Sequence, residues 1–227
     1  MEASFLYSPA FIISALITLV AGGYAYAYLP RQMRSAYRQS LLTLAGAVET
    51  KDTGAAGHGE RVAAHVVATA TEMRIPRSRI RRMEYAAVLQ DIGNVRVPHN
   101  ILNKQEALTG DEFDIVRNHA LVGAEIVEQV SFLRDIALII RHHHEAWDGS
   151  GYPDGMKCDD IPLGARLIAV CTAYDAMTHA KAWHPAVDED TVVKTIRAGA
   201  GAKYDPAVVD AFLRGLKKRR REERNVT

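Results

Sequence analysis

The chain has 227 residues, 48% of them hydrophobic and 24% charged, ordinary proportions for a folded domain that exclude wholesale disorder. Lys and Arg number 28 against 27 Asp and Glu, a net charge of +1, so no global field directs the chain toward a nucleic acid polymer. Two scattered cysteines, Cys158 and Cys171, are too few for a disulfide scaffold or a zinc knuckle, which sets aside a secreted, bridge-stapled protein.

In chain order, the first segment is apolar. No residue from Ala3 to Pro30 carries a charge. About 20 apolar residues are needed to cross the hydrocarbon core of a bilayer, and the run beginning at Ala10 supplies them. Tyr24, Tyr26 and Tyr28 fall near its end, where amphipathic rings favour the headgroup zone, and Arg31, Arg34 and Arg38 follow at once. Residues 1–30 are therefore predicted to be a single transmembrane anchor with the C-terminal bulk in the cytoplasm. A cleaved signal peptide is the competing reading, but the basic n-region is missing. A buried core helix is the other, and it sits poorly with so long a stretch without charge.

Residues 31–50 are predicted to leave the membrane as a connecting helix, with Leu41, Leu42, Leu44 and Val48 as its apolar stripe. Val62, Val66, Ala70 and Met73 then repeat at helical spacing until Pro76. Ile80, Met83, Ala87 and Val88 line a further helix that stops near Gly93. Thr109, with Glu112 three residues on, is a capping-box signal opening one helix that bears Phe113, Val116, Gly123 and Ile126. Phe132, Ile136, Ile139 and Ile140 mark another. The stretch from Trp147 to Pro162 is rich in Gly, Pro and Asp, a loop long enough to be a functional candidate. Helices resume over 163–178, over 189–198 and behind Asp205-Pro206 over 207–216. The main domain is placed at 51–216, and Lys217-Lys218-Arg219-Arg220-Arg221 opens a basic tail over 217–227, a solvated helix end or a contact for anionic lipid. The prediction is an all-α chain: a helical bundle preceded by one transmembrane helix.

Several helices aim a polar group inward. His58 lies four residues before Val62, His119 three after Val116, and His143 and His144 four after Ile139 and Ile140. Asp91 is four after Ala87. One inward histidine is ordinarily a hydrogen-bonded core residue. Four with a carboxylate all need partners, and the simplest shared partner is a divalent cation. A metal-free, hydrogen-bonded polar core is the alternative.

The stretch His143-His144-Glu145-Ala146-Trp147-Asp148-Gly149-Ser150-Gly151-Tyr152-Pro153 resembles the HHExxDGxGYP signature of the HD-GYP domain, a subgroup of the HD metal-dependent phosphohydrolases. Collinear marks agree: Gly57-His58 with Arg61-Val62, Asp91-Ile92-Gly93, Pro98, Leu108-Thr109, His119, Ile161-Pro162-Leu163 and Tyr174-Asp175-Ala176. The resemblance spans about residues 45–215. It implies a helical bundle of HD-GYP type, hydrolysis of cyclic di-GMP at a two- or three-metal centre, and a place in bacterial signalling. With the anchor, that place is the inner membrane. It further implies one metal on the equivalents of His58, Gln90, Asp91 and Thr172, and another on Asp91, His119, His143 and His144.

Departures from the family pattern fall on the chemistry. The histidine that names the superfamily is Gln90, its phosphate-contacting lysine is Asn94, and a metal-ligand aspartate is Thr172. The acidic residue of three-metal members falls at Gly54. Of the basic residues that grip the dinucleotide, only Lys181 keeps its charge, His184 and Pro185 replacing the others. The second ligand set is complete, while the first keeps His58 and the shared Asp91. Two-metal hydrolysis needs both cations, and losing one electrostatic donor costs about 10²–10³ in rate. The expectation is a degenerate HD-GYP protein holding one divalent transition metal (Fe, Mn or Zn) rather than a dinuclear centre. Its hydrolase activity is impaired or absent, and it binds or scaffolds. The alternative is an active metal-dependent cyclic di-GMP phosphodiesterase, and a third reading is a membrane receptor for cyclic di-GMP or a related nucleotide. The turn Gly151-Tyr152-Pro153 is expected to be exposed, and the resemblance makes it a contact for a GGDEF-domain partner.

Overall fold

The computed structural model describes residues 8–52, 56–179 and 186–224; Gly54, Lys181, His184 and Pro185, singled out above, lie outside them. Helices and turns make up the described residues, the only strand-like feature being an isolated bridge between Ala200 and Tyr204. Residues up to Ser40 and residues from Leu41 form two compact units.

In the first unit, α1 (Pro9–Gly23) starts where the Ser8 hydroxyl accepts the Phe11 N–H at 3.3 Å and Pro9 sets the first helical φ. A π-helical turn over Tyr24–Tyr28 leads into α2 (Leu29–Glu49). Among the described residues, the run from Pro9 to Glu49 is the one long and apolar enough to cross a membrane. No residue of α1 is buried.

The second unit is built around α3 (His58–Glu72), α4 (Arg77–Leu89), α9 (Leu163–Thr178) and α11 (Pro206–Arg224). Val62, Val66 and Ala70 recur every four residues along α3 and are fully buried, as periodicity predicts. The α9 helix carries Leu167, Ile168, Val170 and Cys171, all at 0% exposure, so it is apolar nearly all round and runs through the core. Asp205 starts α11 by accepting the Ala207 N–H at 2.8 Å. That helix continues through the basic stretch to Arg224, so the residues after Leu216 prolong a helix. Short elements, α5 (His99–Leu102) and α8 (Ala137–Arg141), and the longer α10 (Glu189–Ala198) complete the frame.

Three local expectations need correction. Thr109 does cap a helix through a full capping box, but the single helix expected behind it is two, α6 (Gly110–Arg117) and α7 (His119–Glu128). The helix breaks at Asn118, whose N–H reaches the Asp114 and Val116 carbonyls, and the His119 ring donates to the Val116 carbonyl as well. Phe113 and Phe132 are 48% and 52% exposed and belong to no core face. The apolar stripe at the end of α2 is Leu41, Leu42, Ala45 and Val48, packed against the core, while Leu44 turns outward.

Candidate metal centre

Five elements converge on one site. His58 opens α3, Gln90 and Asp91 follow α4, His119 opens α7, His143 and His144 follow α8, and Thr172 lies midway along α9. Two glycines permit the approach: a Cβ on Gly93 would lie 1.9 Å from the His119 carbonyl oxygen, and one on Gly151 would lie 2.2 Å from the Ala146 nitrogen.

In one half of the site three imidazoles gather. His119 Nε2 lies 3.4 Å from His143 Nε2, 3.3 Å from His144 Nε2 and 3.6 Å from Asp91 Oδ1. His119 Nδ1 donates to the Val116 carbonyl and His143 Nδ1 to the Ile140 carbonyl, each at 2.6 Å. With those hydrogens committed, the two Nε2 atoms turn lone pairs toward each other. Such an arrangement is relieved by a cation between them, or by a hydrogen on His144 Nε2, 3.3 Å from His119 Nε2. Ligands bonded at about 2.0–2.1 Å in tetrahedral geometry sit about 3.4 Å apart, so this donor set fits a divalent transition metal. Burial pushes His143 down to about 4, with His119 adding to the effect. Burial, then His143 and His119, hold His144 well below its ordinary value. Both rings are neutral at pH 7, the form that binds a metal.

The other half closes on itself. Burial alone would raise Asp175, but hydrogen bonds from His58 and Arg61 hold it at about 2, so its carboxylate only accepts. His58 Nδ1, 2.7 Å from Asp175 Oδ2, therefore carries the ring hydrogen, and Nε2 is an acceptor. It receives the Gln90 amide at 2.9 Å. The same amide nitrogen lies 3.4 Å from Asp91 Oδ2, and Gln90 Oε1 accepts the Thr172 hydroxyl at 2.9 Å. Gln90 is 1% exposed with both ends satisfied, and the two positions that depart from the HD-GYP ligand pattern bond to each other. These side chains satisfy one another, with His58 Nε2 3.7 Å from Asp91 Oδ2.

Asp175 and Arg61 were not read from the sequence as site residues. Arg61 reaches both oxygens of Asp175, at 2.8 and 3.0 Å, and Asp175 holds His58. The available signal was register: Arg61 is three residues after His58, and Asp175 three after Thr172, on the same helix faces.

The Gly151-Tyr152-Pro153 turn is half-buried, which corrects the expectation of an exposed one. The Tyr152 ring stacks on His144 at 4.8 Å between centroids, with the Arg117 guanidinium 4.4 Å from the Tyr152 ring centre, and burial raises its phenol to about 12. His142, Glu145 and Asp154 also cluster, but as a clasp for this turn. His142 Nε2 and Arg141 meet the Asp154 carboxylate at 2.8–2.9 Å, and Glu145 accepts the N–H groups of Asp154 and Met156. Consecutive residues of one motif thus divide the work, His143 and His144 facing the cage while His142 and Glu145 pin the loop. Trp147 packs within the loop, under the Arg166 guanidinium at 5.6 Å.

A cavity of about 310 Å³ opens over the site, lined by His58, Asp91, His119, His144, Tyr152 and Thr172 among others. Glu49 and Asp52 line it too, and no Lys or Arg does so among the described residues. Asn94 reaches it, with Oδ1 buried and without a hydrogen-bond partner among the described residues.

Comparison with known proteins identifies the family and the fold. The HD domain family model matches residues 43–208. The cyclic di-GMP phosphodiesterase response regulator RpfG of Xanthomonas campestris pv. campestris is 37% identical over 180 residues, covering 78% of this chain and 48% of that protein. A probable cyclic di-GMP phosphodiesterase of Vibrio cholerae is 43% identical over 139 residues, covering 56% of this chain and 31% of its own length. The chain thus spans less than half the length of these relatives. A solved cyclic GMP-AMP specific phosphodiesterase of V. cholerae (V-cGAP3) shares the fold, with a TM-score of 0.60 at 18% identity over 79% of this chain and 48% of that one. With the matched family model, the intact His-His-Glu to Gly-Tyr-Pro signature and the imidazole cage, the chain belongs to the HD domain family, in its HD-GYP branch.

Proposed function

We propose that this protein is a membrane-anchored, degenerate HD-GYP module of cyclic di-GMP type signalling. It binds one divalent metal on Asp91, His119, His143 and His144 and works by binding or scaffolding rather than by turnover. The observation that carries this reading is the hydrogen-bonded chain Thr172–Gln90–His58–Asp175, which satisfies in side chains what the family satisfies with its other cation. A single cation held by Asp91, His119, His143 and His144 would supply one Lewis-acid centre without the neighbour that two-metal hydrolysis requires, and Asn94 brings no charge in its place.

The substrate class comes from the relatives' names, cyclic di-GMP and related cyclic dinucleotides. Glu49, Asp52 and Asp91 make the described cavity lining anionic, so a phosphodiester is expected to bind only with the metal in place. The uncharged first part of the Pro9–Glu49 helical run, followed within the same run by Arg31, Arg34 and Arg38, supports a single-pass inner-membrane anchor with the domain in the cytoplasm. On this reading the half-exposed Gly-Tyr-Pro turn is the surface for a GGDEF-domain partner, and the exposed basic residues of α11 are the surface for anionic lipid.

The test is turnover and calorimetry on one preparation of the full chain, with Mn²⁺ or Fe²⁺. Metal-dependent binding of cyclic di-GMP without conversion supports the proposal. Robust conversion to the linear dinucleotide or GMP establishes the active phosphodiesterase instead.

A further inference from the structure

Two charged side chains at the end of α2, Glu49 and Lys51, grip the backbone on either side of the candidate centre. The Glu49 carboxylate accepts the Gly57 N–H with one oxygen and the Gly59 N–H with the other, both at 2.7 Å. His58 sits between those two amides. Anionic oxygens at the opening of a helix meet both its free donors and its positive dipole end. Gly59 has no room for a side chain, since a Cβ there would lie 2.8 Å from the Val88 carbonyl oxygen and 3.1 Å from Glu49 Oε1.

Lys51 does the reverse. Its Nζ donates to the carbonyls of Asn94 at 3.2 Å, Val95 at 2.8 Å and Val97 at 3.0 Å. Three ammonium hydrogens thus meet three carbonyls at the negative end of the 3₁₀ turn Ile92–Arg96, which begins directly after Asp91. That turn is tied back to Asp91, whose carbonyl accepts the Asn94 N–H at 2.9 Å. Lys51 is itself held, its own carbonyl accepting the Asn103 amide at 2.6 Å.

We infer that Glu49 and Lys51 are positioning residues of the candidate metal centre: Lys51 sets the Asp91 carboxylate against the imidazole cage, and Glu49 sets His58 against Gln90. The inference rests on the one-metal reading above and adds a division of labour, because each residue braces a different half. A general contribution to folding would disturb both halves alike.

The experiment uses the full chain in detergent, with Co²⁺ absorption as the metal probe and hydrogen exchange of backbone amides as a metal-independent readout. Lys51→Met is expected to weaken Co²⁺ binding on the order of 10-fold, the scale seen when an outer partner of a metal ligand is lost. It should also speed exchange over residues 91–97. Lys51→Arg, which keeps the cationic donors, should stay within about threefold of the parent, since a cation at a helix C-terminus retains most of its favourable energy. Glu49→Gln should speed exchange over residues 57–62 while leaving Co²⁺ affinity nearly unchanged. Unchanged exchange at 91–97 in Lys51→Met overturns the inference, and so does equal loosening of both segments by each variant. If the parent chain binds no Co²⁺, the one-metal reading falls, and the bracing roles stand or fall on the exchange pattern alone.

Discussion

The two halves of one cavity solve the same problem in opposite ways. Around His119, ring hydrogens point outward to the Val116 and Ile140 carbonyls, and nitrogen lone pairs are left facing each other at 3.4 Å. Around Gln90, every donor meets an acceptor, from the Thr172 hydroxyl through the amide to His58 and Asp175. The first arrangement presents a donor set that a cation would complete. The second is complete without one. Buried polar groups must be satisfied by some route, and replacing ligands in pairs lets side chains do it without a cavity or an orphaned donor.

The sharpest way to break this contrast is to restore the missing ligands. Gln90→His with Thr172→Asp is expected to turn the closed half into a second cage. Metal content should rise from about one to about two per chain, and cyclic di-GMP hydrolysis should increase at least 10²–10³-fold, as two-metal chemistry requires. An unchanged metal count and rate would show that the loss lies elsewhere, with Asn94 the next position to restore.

Next in size is the loss of the open half. His119→Ala removes the imidazole that the other donors surround, and affinity for Mn²⁺ or Co²⁺ should fall by more than the 10–100-fold typical of losing an outer partner. Calorimetry reads this directly. Gln90→Ala, by contrast, should leave that affinity nearly unchanged.

Acid sharpens the comparison further. Burial, with Arg219 adding, holds His65 at about 4, and burial with His119 holds His143 at about 4, against about 6.5 in an unfolded chain. The unfolded state therefore takes up each proton first. The stability from keeping these rings neutral is complete above pH 6.5 and is lost as pH falls toward 4, by up to about 1.4 kcal/mol per pH unit for each ring. Melting temperatures of the chelator-treated chain should drop across that window. A Zn²⁺-loaded sample should drop less at first, because a bound cation competes with the proton at His143.

The smallest effect belongs to Thr172→Val. It deletes one hydroxyl donor to Gln90 and should cost about 1 kcal/mol in denaturant unfolding, with the Co²⁺ affinity of the cage unmoved.

Much of this site was legible in the sequence because inward histidines fall three or four residues from apolar ones on helices, and because the His143-to-Pro153 signature is contiguous. Tertiary closure was not legible. Gln90 and Thr172 are 82 residues apart, and nothing in either residue type says that they bond to each other rather than stand as two separate vacancies. The break between α6 and α7 was hidden for a related reason: the capping box at Thr109 and the apolar spacing both predict one helix, and neither shows the turn at Asn118, where the His119 ring meets the Val116 carbonyl. Tyr152 was misjudged because a Gly-Tyr-Pro turn carries no sign of what its ring covers; His144 and Arg117 lie on other elements. Phe113 and Phe132 show the converse, since apolar spacing identifies a helix but not which of its positions become buried.

The most direct measurement is the metal content of the purified full chain, loaded with Mn²⁺, Fe²⁺ or Zn²⁺ and counted by elemental analysis against protein concentration. Near-unit stoichiometry, lost in His119→Ala and kept in Gln90→Ala, is the outcome expected of an open cage beside a closed one. Two ions per chain, with one of them lost in Gln90→Ala, would contradict it.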